Sequence, residues 1–253
     1  MRIFLKTEDE IILLRAASQL ATRALIEVGR HVVPRLALSH LRNKVVNAVM
    51  RTVPTESNSG KEALSSDTEF TFFVNGAYIE PSLEGECMLC EGDWLTVNCW
   101  VCLDGYYSFG AHTFIVGSSQ DDEPMISTLR DMLRQVVRRA SAGHSIKEMS
   151  RTVYSLHAHD PYVLQKTFGH GVGRNRVENP ILRMNPGVND TVLLKEGMCL
   201  VIAFAFKHGR SHLIKPRLMH ESTFHNPFVP FGTTVVVRAG RPEILTSFET
   251  IVK

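Results

Sequence analysis

The chain lacks long hydrophobic runs, a strong net charge and an even number of cysteines. No run of 18 apolar residues occurs in its 253 residues, so we predict no membrane-spanning helix. The formal net charge of +2 is too small to indicate nucleic-acid binding. Five cysteines, without a typical secretory signal at the N-terminus, indicate free thiols rather than a disulfide framework. We therefore expect a cytoplasmic protein that binds neither membrane nor nucleic acid.

The composition that is present is that of an ordinary globular protein. Hydrophobic residues make up 44% of the chain and charged residues 21%, which argues against disorder. A chain of this length can bury a substantial core. We expect a single domain spanning residues 1–253.

Four segments carry helix signals. Thr7 and Glu10 form a capping box, and Ser145 with Glu148 forms a second one. Ser39 is the expected N-cap of the second helix, and Pro124 is the expected first residue of the third.

The remaining apolar segments are rich in β-branched and aromatic residues, which is typical of strands. Asp104-Gly105 between two such segments predicts a hairpin. The order of two helices, several strands, two helices and further strands favours an α+β fold, with helices on one side of an antiparallel sheet. The predicted strands are Phe70–Asn75, Trp94–Leu103, Tyr106–Val116, Tyr162–Phe168, Cys199–Lys207, Thr233–Arg238 and Ile244–Val252.

A Gly-His-Gly-x-Gly motif at residues 169–173 is the most distinctive pattern in the chain. With several other short motifs in order, it resembles the type I methionine aminopeptidases of the M24, or pita-bread, class. That resemblance implies a curved antiparallel sheet around a central pocket, with helices on its outer side. The other motifs are Ile3–Thr7, Glu91–Trp94, Asp104–Tyr106, Thr113–Gly117, Leu194–Met198 and Glu243–Thr246.

The resemblance also implies where two metal ions would bind in that family. Four carboxylates and one histidine hold the ions, and only the histidine is retained here, as His170. The carboxylate positions correspond to Asn98, Phe109, Ala203 and Gly232. Two neighbouring divalent cations need several anionic oxygens. We therefore expect no dinuclear metal site, no cofactor and no methionine aminopeptidase activity.

The same positions are the candidate functional site. We expect His170, Tyr78 and His112 to be catalytic residues, because a histidine near neutral pKa suits proton transfer in either direction. Asn98 and His112 lie on the two strands of one predicted hairpin, so we expect both to face one cavity. The expected pocket-lining residues are Asn98, Phe109, Ala203, Gly232 and Glu178.

The sequence is compatible with two states of this site. Loss of the carboxylates would leave an apolar cavity around a neutral His170, since burial disfavours the charged imidazolium. Alternatively, the ring of Phe109 fills the space as core.

Three functional hypotheses follow. The first is a repurposed, metal-independent enzyme acting on a small amine, acyl or peptidyl substrate in the central pocket. The second is a pseudoenzyme that binds a peptide, a small ligand or a protein partner. The third is a metallopeptidase with displaced ligands, for which late histidines are candidates: His208, His212, His220 and His225.

Four cysteines form two Cys-x-x-Cys pairs, which is a spacing found in zinc sites. Cys99 and Cys102 lie on a predicted strand, however, where residues three apart point to opposite faces. This arrangement favours buried free thiols over a zinc site that would also include Cys87 and Cys90.

Overall fold

A computed structural model describes residues 2–53, 64–117, 124–157, 166–185, 192–204 and 229–247. Within these ranges the chain forms four α-helices, a short 3-10 helix (Pro81–Leu83) and nine strands. The helices are α1 (Glu8–His31), α2 (Leu38–Thr52), α3 (Pro124–Val137) and α4 (Ile146–His157). The strands are β1 (Glu69–Val74), β2 (Ala77–Ile79), β3 (Trp94–Leu103), β4 (Tyr106–Ile115), β5 (Thr167–Gly171), β6 (Glu178–Arg183), β7 (Cys199–Ala203), β8 (Gly232–Val236) and β9 (Glu243–Ile244).

Both predicted capping boxes are confirmed. The Thr7 hydroxyl accepts from the Glu10 N–H, and the Glu10 carboxylate accepts from the Thr7 N–H. Ser145 and Glu148 exchange the same two hydrogen bonds at the start of α4. Such pairs satisfy backbone donors that a helix leaves without partners in its first turn.

The predicted cap at Ser39 is wrong. Helix α2 begins at Leu38, and its N-cap Ala37 makes no side-chain hydrogen bond. The N–H groups of Leu38 and Ser39 instead donate to the carbonyl oxygens of Cys87 and Glu84. A neighbouring turn of backbone replaces the side-chain cap.

The hairpin of β3 and β4 forms at the predicted place. Asp104 and Gly105 both have positive φ, 48° and 76°, as a two-residue hairpin turn requires. Leu103 therefore pairs with Tyr106, and the register continues without a break to Trp94 and Ile115.

The strands form one antiparallel sheet in the order β2-β1-β3-β4-β8-β7-β5-β6, with β9 pairing β8. Two of the predicted strands are placed incorrectly in the described residues. The strand around the histidine runs through it, over Thr167–Gly171, and residues 162–165 lie outside the described ranges. Near the C-terminus only Glu243–Ile244 forms a strand, and residues 248–252 are likewise outside them.

All four helices pack on one face of this curved sheet, which confirms the α+β architecture with the helices outside. A single apolar cluster joins Leu25 of α1, Val45 of α2, Leu133 of α3 and Val153 of α4 to side chains of the sheet. The opposite face of the sheet is called the concave face below. No helix in the described part of the chain is long and apolar enough to cross a membrane.

Candidate functional site

A row of small and polar residues crosses the concave face. Asn98 pairs with Ala111, Ala111 with Gly232, and Gly232 with Ala203. Directly paired residues of antiparallel strands share a face of the sheet. The register therefore places all four residues side by side, although the strands that carry them are far apart in sequence.

Phe109 fills the space beside this row. Its side chain is only 4% exposed, and its ring centroid lies 4.8 Å from that of Trp100, its partner on β3. A Cβ atom added to Gly232 would lie 2.6 Å from Cε1 of Phe109 and 3.0 Å from Cβ of Ala203. The aromatic ring at position 109 therefore requires a residue without a side chain at position 232.

His170 reaches Trp100 from the other end of the concave face. The two rings are stacked, with centroids 6.1 Å apart and an interplanar angle of 8°. His170 lies on β5 and Trp100 on β3, and β4, β8 and β7 separate these strands in the sheet. A direct ring contact across three intervening strands reflects the strong curvature of the sheet.

A hydrogen bond to the backbone defines the tautomer of His170. Nδ1 lies 2.9 Å from the carbonyl oxygen of Gly171, and a carbonyl oxygen only accepts. Nδ1 therefore carries the proton, and Nε2 keeps its lone pair. Burial lowers the pKa of His170 below its ordinary value, against a smaller opposing effect of the Gly171 hydrogen bond, so the neutral ring is favoured at physiological pH.

The glycines that flank His170 allow neighbouring backbones to approach. A Cβ atom on Gly169 would collide with the carbonyl oxygen of Val201, and one on Gly171 would collide with that of Asn179. The motif therefore reflects tight packing of β5 between β7 and β6.

Asn98 has a buried polar atom without a partner. The residue is 8% exposed, and its side-chain Oδ1 makes no hydrogen bond to any described residue. Leaving such an acceptor unpaired costs about 1–3 kcal/mol. Asn98 therefore offers, among the described residues of the concave face, a buried acceptor that needs a donor.

Arg176, which the sequence did not indicate as a site residue, lies over the rings of Trp100 and Tyr107. Its guanidinium carbon is 5.6 Å from the Trp100 ring centroid and 5.8 Å from that of Tyr107. Nη1 donates to Glu69 at 2.9 Å, and Nη2 donates to the Asp67 carbonyl oxygen. Arg176 follows the glycine motif within an Arg-Asn-Arg turn, and nothing in that pattern indicates a reach to β1.

The profile of the family described as Metallopeptidase family M24 matches residues 12–239. The chain belongs to the M24 family. The methionine aminopeptidase of Helicobacter pylori strain 26695 is 28% identical over 225 residues, which are 85% of this chain and 87% of that protein. That of Borreliella burgdorferi is 25% identical over 254 residues, or 97% of this chain and 98% of the relative.

Solved structures of two peptidases share the fold. Methionine aminopeptidase from Thermotoga maritima superposes with a TM-score of 0.76 at 21% identity, covering 97% of this chain and 100% of its own. The prolidase from Pyrococcus furiosus gives a TM-score of 0.72 at 19% identity, covering 97% of this chain and 66% of its own. These similarities confirm the predicted methionine-aminopeptidase-like, pita-bread architecture.

The M24 fold does not bring His112 to the concave face, so the expectation that it shares a cavity with Asn98 is wrong. His112 pairs with Val97, whereas Asn98 pairs with Ala111, and neighbouring residues of a strand point to opposite faces. His112 is fully buried on the helix side, between Phe114 and Phe231.

Tyr78 and Glu178 occupy separate surroundings. Tyr78 packs against Phe73 on the edge of the sheet and lines an open groove of about 400 Å³, and burial raises its pKa. Glu178 forms a buried ion pair with Lys6, with Nζ and Oε2 2.6 Å apart. Of the three expected catalytic residues, His170 is the one that contacts Trp100.

The structure describes the cysteines that could have formed a zinc site, but it does not describe the late histidines. All five cysteines are free thiols, as expected. Within the described residues, no group of three or more His, Cys, Asp or Glu side chains is arranged to hold a metal ion. His208, His212, His220 and His225 lie outside the described residues.

Proposed function

We propose that this M24 protein works without a dinuclear metal centre and binds a small-molecule or peptidyl ligand on its concave face instead of hydrolysing peptides. The packing of Phe109 against Gly232 and Ala203 carries this proposal. These residues stand at three of the positions that hold metal carboxylates in the methionine aminopeptidases, and a side chain at position 232 would collide with Phe109 and Ala203.

The donor atoms at the five positions do not fit a pair of metal ions. Asn98 offers one neutral amide oxygen and His170 one nitrogen, while Phe109, Ala203 and Gly232 offer none. Two divalent cations need several anionic ligands to offset their mutual repulsion and their loss of hydration water. Without such a centre the protein has no metal-activated water to attack a peptide bond.

A second candidate, the metal-independent enzyme, is favoured by one observation. The neutral His170 presents an unprotonated Nε2, which suits a general base. Neither of the other two expected catalytic residues joins it, because His112 lies on the other face and Tyr78 packs against Phe73. Binding is therefore the better-supported function.

Metal content and methionine release test the first proposal. The purified protein is dialysed, loaded with Co²⁺ or Mn²⁺, analysed for metal and incubated for hours with the peptide Met-Ala-Ser. We expect no stoichiometric metal at these five positions and an intact peptide. Two ions per chain bound through His170, with metal-dependent methionine release that follows the protein through purification, would overturn it.

A reverted variant is the matched control. Asn98→Asp, Phe109→Asp, Ala203→Glu and Gly232→Glu together restore four carboxylates, and far-UV circular dichroism checks that the variant folds. It should bind Co²⁺ more tightly than the wild type does. Equal binding by the two proteins would contradict the assignment of these positions.

His170→Ala separates the binder from the enzyme once a ligand or substrate is known. An enzyme should lose turnover while still binding substrate. A binder should show only weakened affinity.

A further inference from the structure

The chemistry of the concave face indicates which ligand it binds, and this inference rests on the proposed function. Asn98 Oδ1 is a buried acceptor that no described residue satisfies. His170 Nε2 is a second acceptor, since Nδ1 carries the ring proton. Both residues neighbour Trp100, one along β3 and the other by ring stacking. A ligand that satisfies them must donate hydrogen bonds.

The Trp100 ring between these acceptors adds a second requirement. It presents a π face, which attracts planar groups and cations. The protein's own Arg176 already demonstrates this preference, because its guanidinium group lies over Trp100 and Tyr107.

The charges of the described residues favour a cation. The Glu69 carboxylate pairs with the Arg176 guanidinium at 2.9 Å, and the Asp67 carboxylate accepts from the hydroxyl of Tyr107, over which Arg176 lies. The Arg176 and Glu69 side chains are 35% and 54% exposed. Exposed ion pairs contribute little to stability, so a ligand cation can replace Arg176 at modest cost.

We propose that the concave face binds a planar cation with several N–H donors, an amidinium or guanidinium group, and that Asn98 is its inner hydrogen-bond acceptor. The cation lies over Trp100 in the place that Arg176 now takes. Glu69 then accepts from the ligand.

Benzamidinium and benzoate form the decisive pair of probes, because they have nearly the same shape but opposite charge and hydrogen-bonding sense. Both are titrated in EDTA into a Trp94→Phe variant, in which Trp100 is the sole tryptophan. We expect benzamidinium to change Trp100 fluorescence and the Asn98 side-chain amide resonances with a dissociation constant of about 1 mM. Equal or tighter binding of benzoate, or no benzamidinium binding, would overturn the proposal.

Substitutions at Asn98 locate the probe. Asn98→Leu should weaken benzamidinium binding at least tenfold. Asn98→Asp should tighten it about tenfold, because hydrogen bonds to a charged acceptor are stronger. Asn47→Leu, the same change at an exposed asparagine of α2 on the other side of the sheet, is the control and should bind as the wild type does. Unchanged affinity in Asn98→Leu, with the fold intact by circular dichroism, would refute the role of Asn98.

Arg176→Ala tests the replacement step. Removal of the competing guanidinium should tighten benzamidinium binding severalfold. Arg174→Ala removes a guanidinium from the same turn, one that lies over Tyr106, and should have no effect. Weaker binding by Arg176→Ala would contradict the replacement of Arg176 by the ligand.

Agmatine and the peptide acetyl-Gly-Arg-Gly-amide distinguish a free metabolite from an arginine of a polypeptide. Preference for either supports the chemistry and identifies the source, whereas binding of neither overturns it. Since these titrations contain EDTA, their failure would leave the metal and methionine-release results unaffected.

Discussion

At the scale of single residues, Phe109 and Gly232 depend on each other. The Phe109 ring lies where a side chain at position 232 would be, and Trp100 packs against the same ring from β3. A ring held in this way has little freedom to move aside. The pair therefore behaves as one packing unit of the concave face.

Gly232→Ala should destabilise the protein by about 1–3 kcal/mol, because overpacking a well-filled site costs roughly that amount. Urea unfolding measures the change. In a Phe109→Leu background the same substitution should cost much less, since the shorter side chain leaves room. Equal cost in the two backgrounds would contradict the proposed contact.

The protonation of His170 should appear in the pH dependence of stability. Burial lowers the pKa of His170 in the folded protein relative to about 6.5 in the unfolded chain. Below about pH 6.5 the imidazole is protonated in the unfolded chain but stays neutral in the folded protein. The free energy of unfolding therefore falls as the pH drops towards the pKa of His170 in the folded protein.

Urea unfolding between pH 7.5 and 5 should therefore show a smaller loss of stability in His170→Asn than in the wild type. The asparagine amide keeps a donor near the Gly171 carbonyl. The difference between the proteins removes the contribution of the other histidines. A parallel pH dependence would show that His170 titrates normally.

At the scale of elements, short sequence motifs correctly predicted the helix starts and the hairpin turn that depend on residues close in sequence. The capping boxes and the Asp-Gly turn involve residues close in sequence, and all three formed where expected. Short strands were missed: β2 has three residues and β6 contains Pro180. Local patterns would have indicated β2, because Asn75-Gly76 between Val74 and Ala77 is a two-residue hairpin turn like Asp104-Gly105. The strand β6 pairs with its sequence neighbour β5, but a proline within a short segment argues against a strand.

The error about His112 was avoidable from the sequence. A two-residue turn at Asp104-Gly105 sets the register, and counting outward from it pairs Asn98 with Ala111. The same count places Trp100 opposite Phe109. The approach of His170 and Arg176 to Trp100 was not predictable, because it depends on the curvature of the whole sheet.

The ion pair of Lys6 and Glu178 connects the segment before α1 to β6. Both side chains are 5% exposed, and the Asn175 N–H also donates to Glu178. Lys6→Met should destabilise the protein by about 3–5 kcal/mol, because it leaves a carboxylate buried without its partner. Urea unfolding provides the measurement.

A double variant and an exposed pair are the controls. Lys6→Met with Glu178→Leu should recover most of the loss, since no isolated charge remains. Arg30→Met breaks the exposed pair with Glu27 and should cost only about 0–1 kcal/mol. Similar costs for Lys6→Met and Arg30→Met would rule out a special role for the buried pair.

At the scale of the whole molecule, burial divides the cysteines into two groups. Cys87, Cys99, Cys102 and Cys199 are buried, and Cys90 is partly exposed. Burial raises the pKa of Cys87 to about 11 and that of Cys199 to about 12, and it raises the pKa of Cys99 as well. Buried thiols that stay protonated react slowly.

Ellman's reagent at pH 8 should therefore modify about one thiol in the native protein and all five after denaturation. Cys90→Ser should abolish the fast reaction. If the buried cysteines became reactive on addition of a zinc chelator alone, the zinc interpretation would replace that of free thiols.

The mutual fit of Phe109 and Gly232 has a consequence for the substitutions that these two positions accept. A glutamate at position 232 alone would meet the Phe109 ring, and an aspartate at position 109 alone would place a charge against Trp100. Each of these single substitutions therefore gives a less stable protein. The two positions can change together more easily than either can change alone, so the present pair is hard to leave by one substitution at a time.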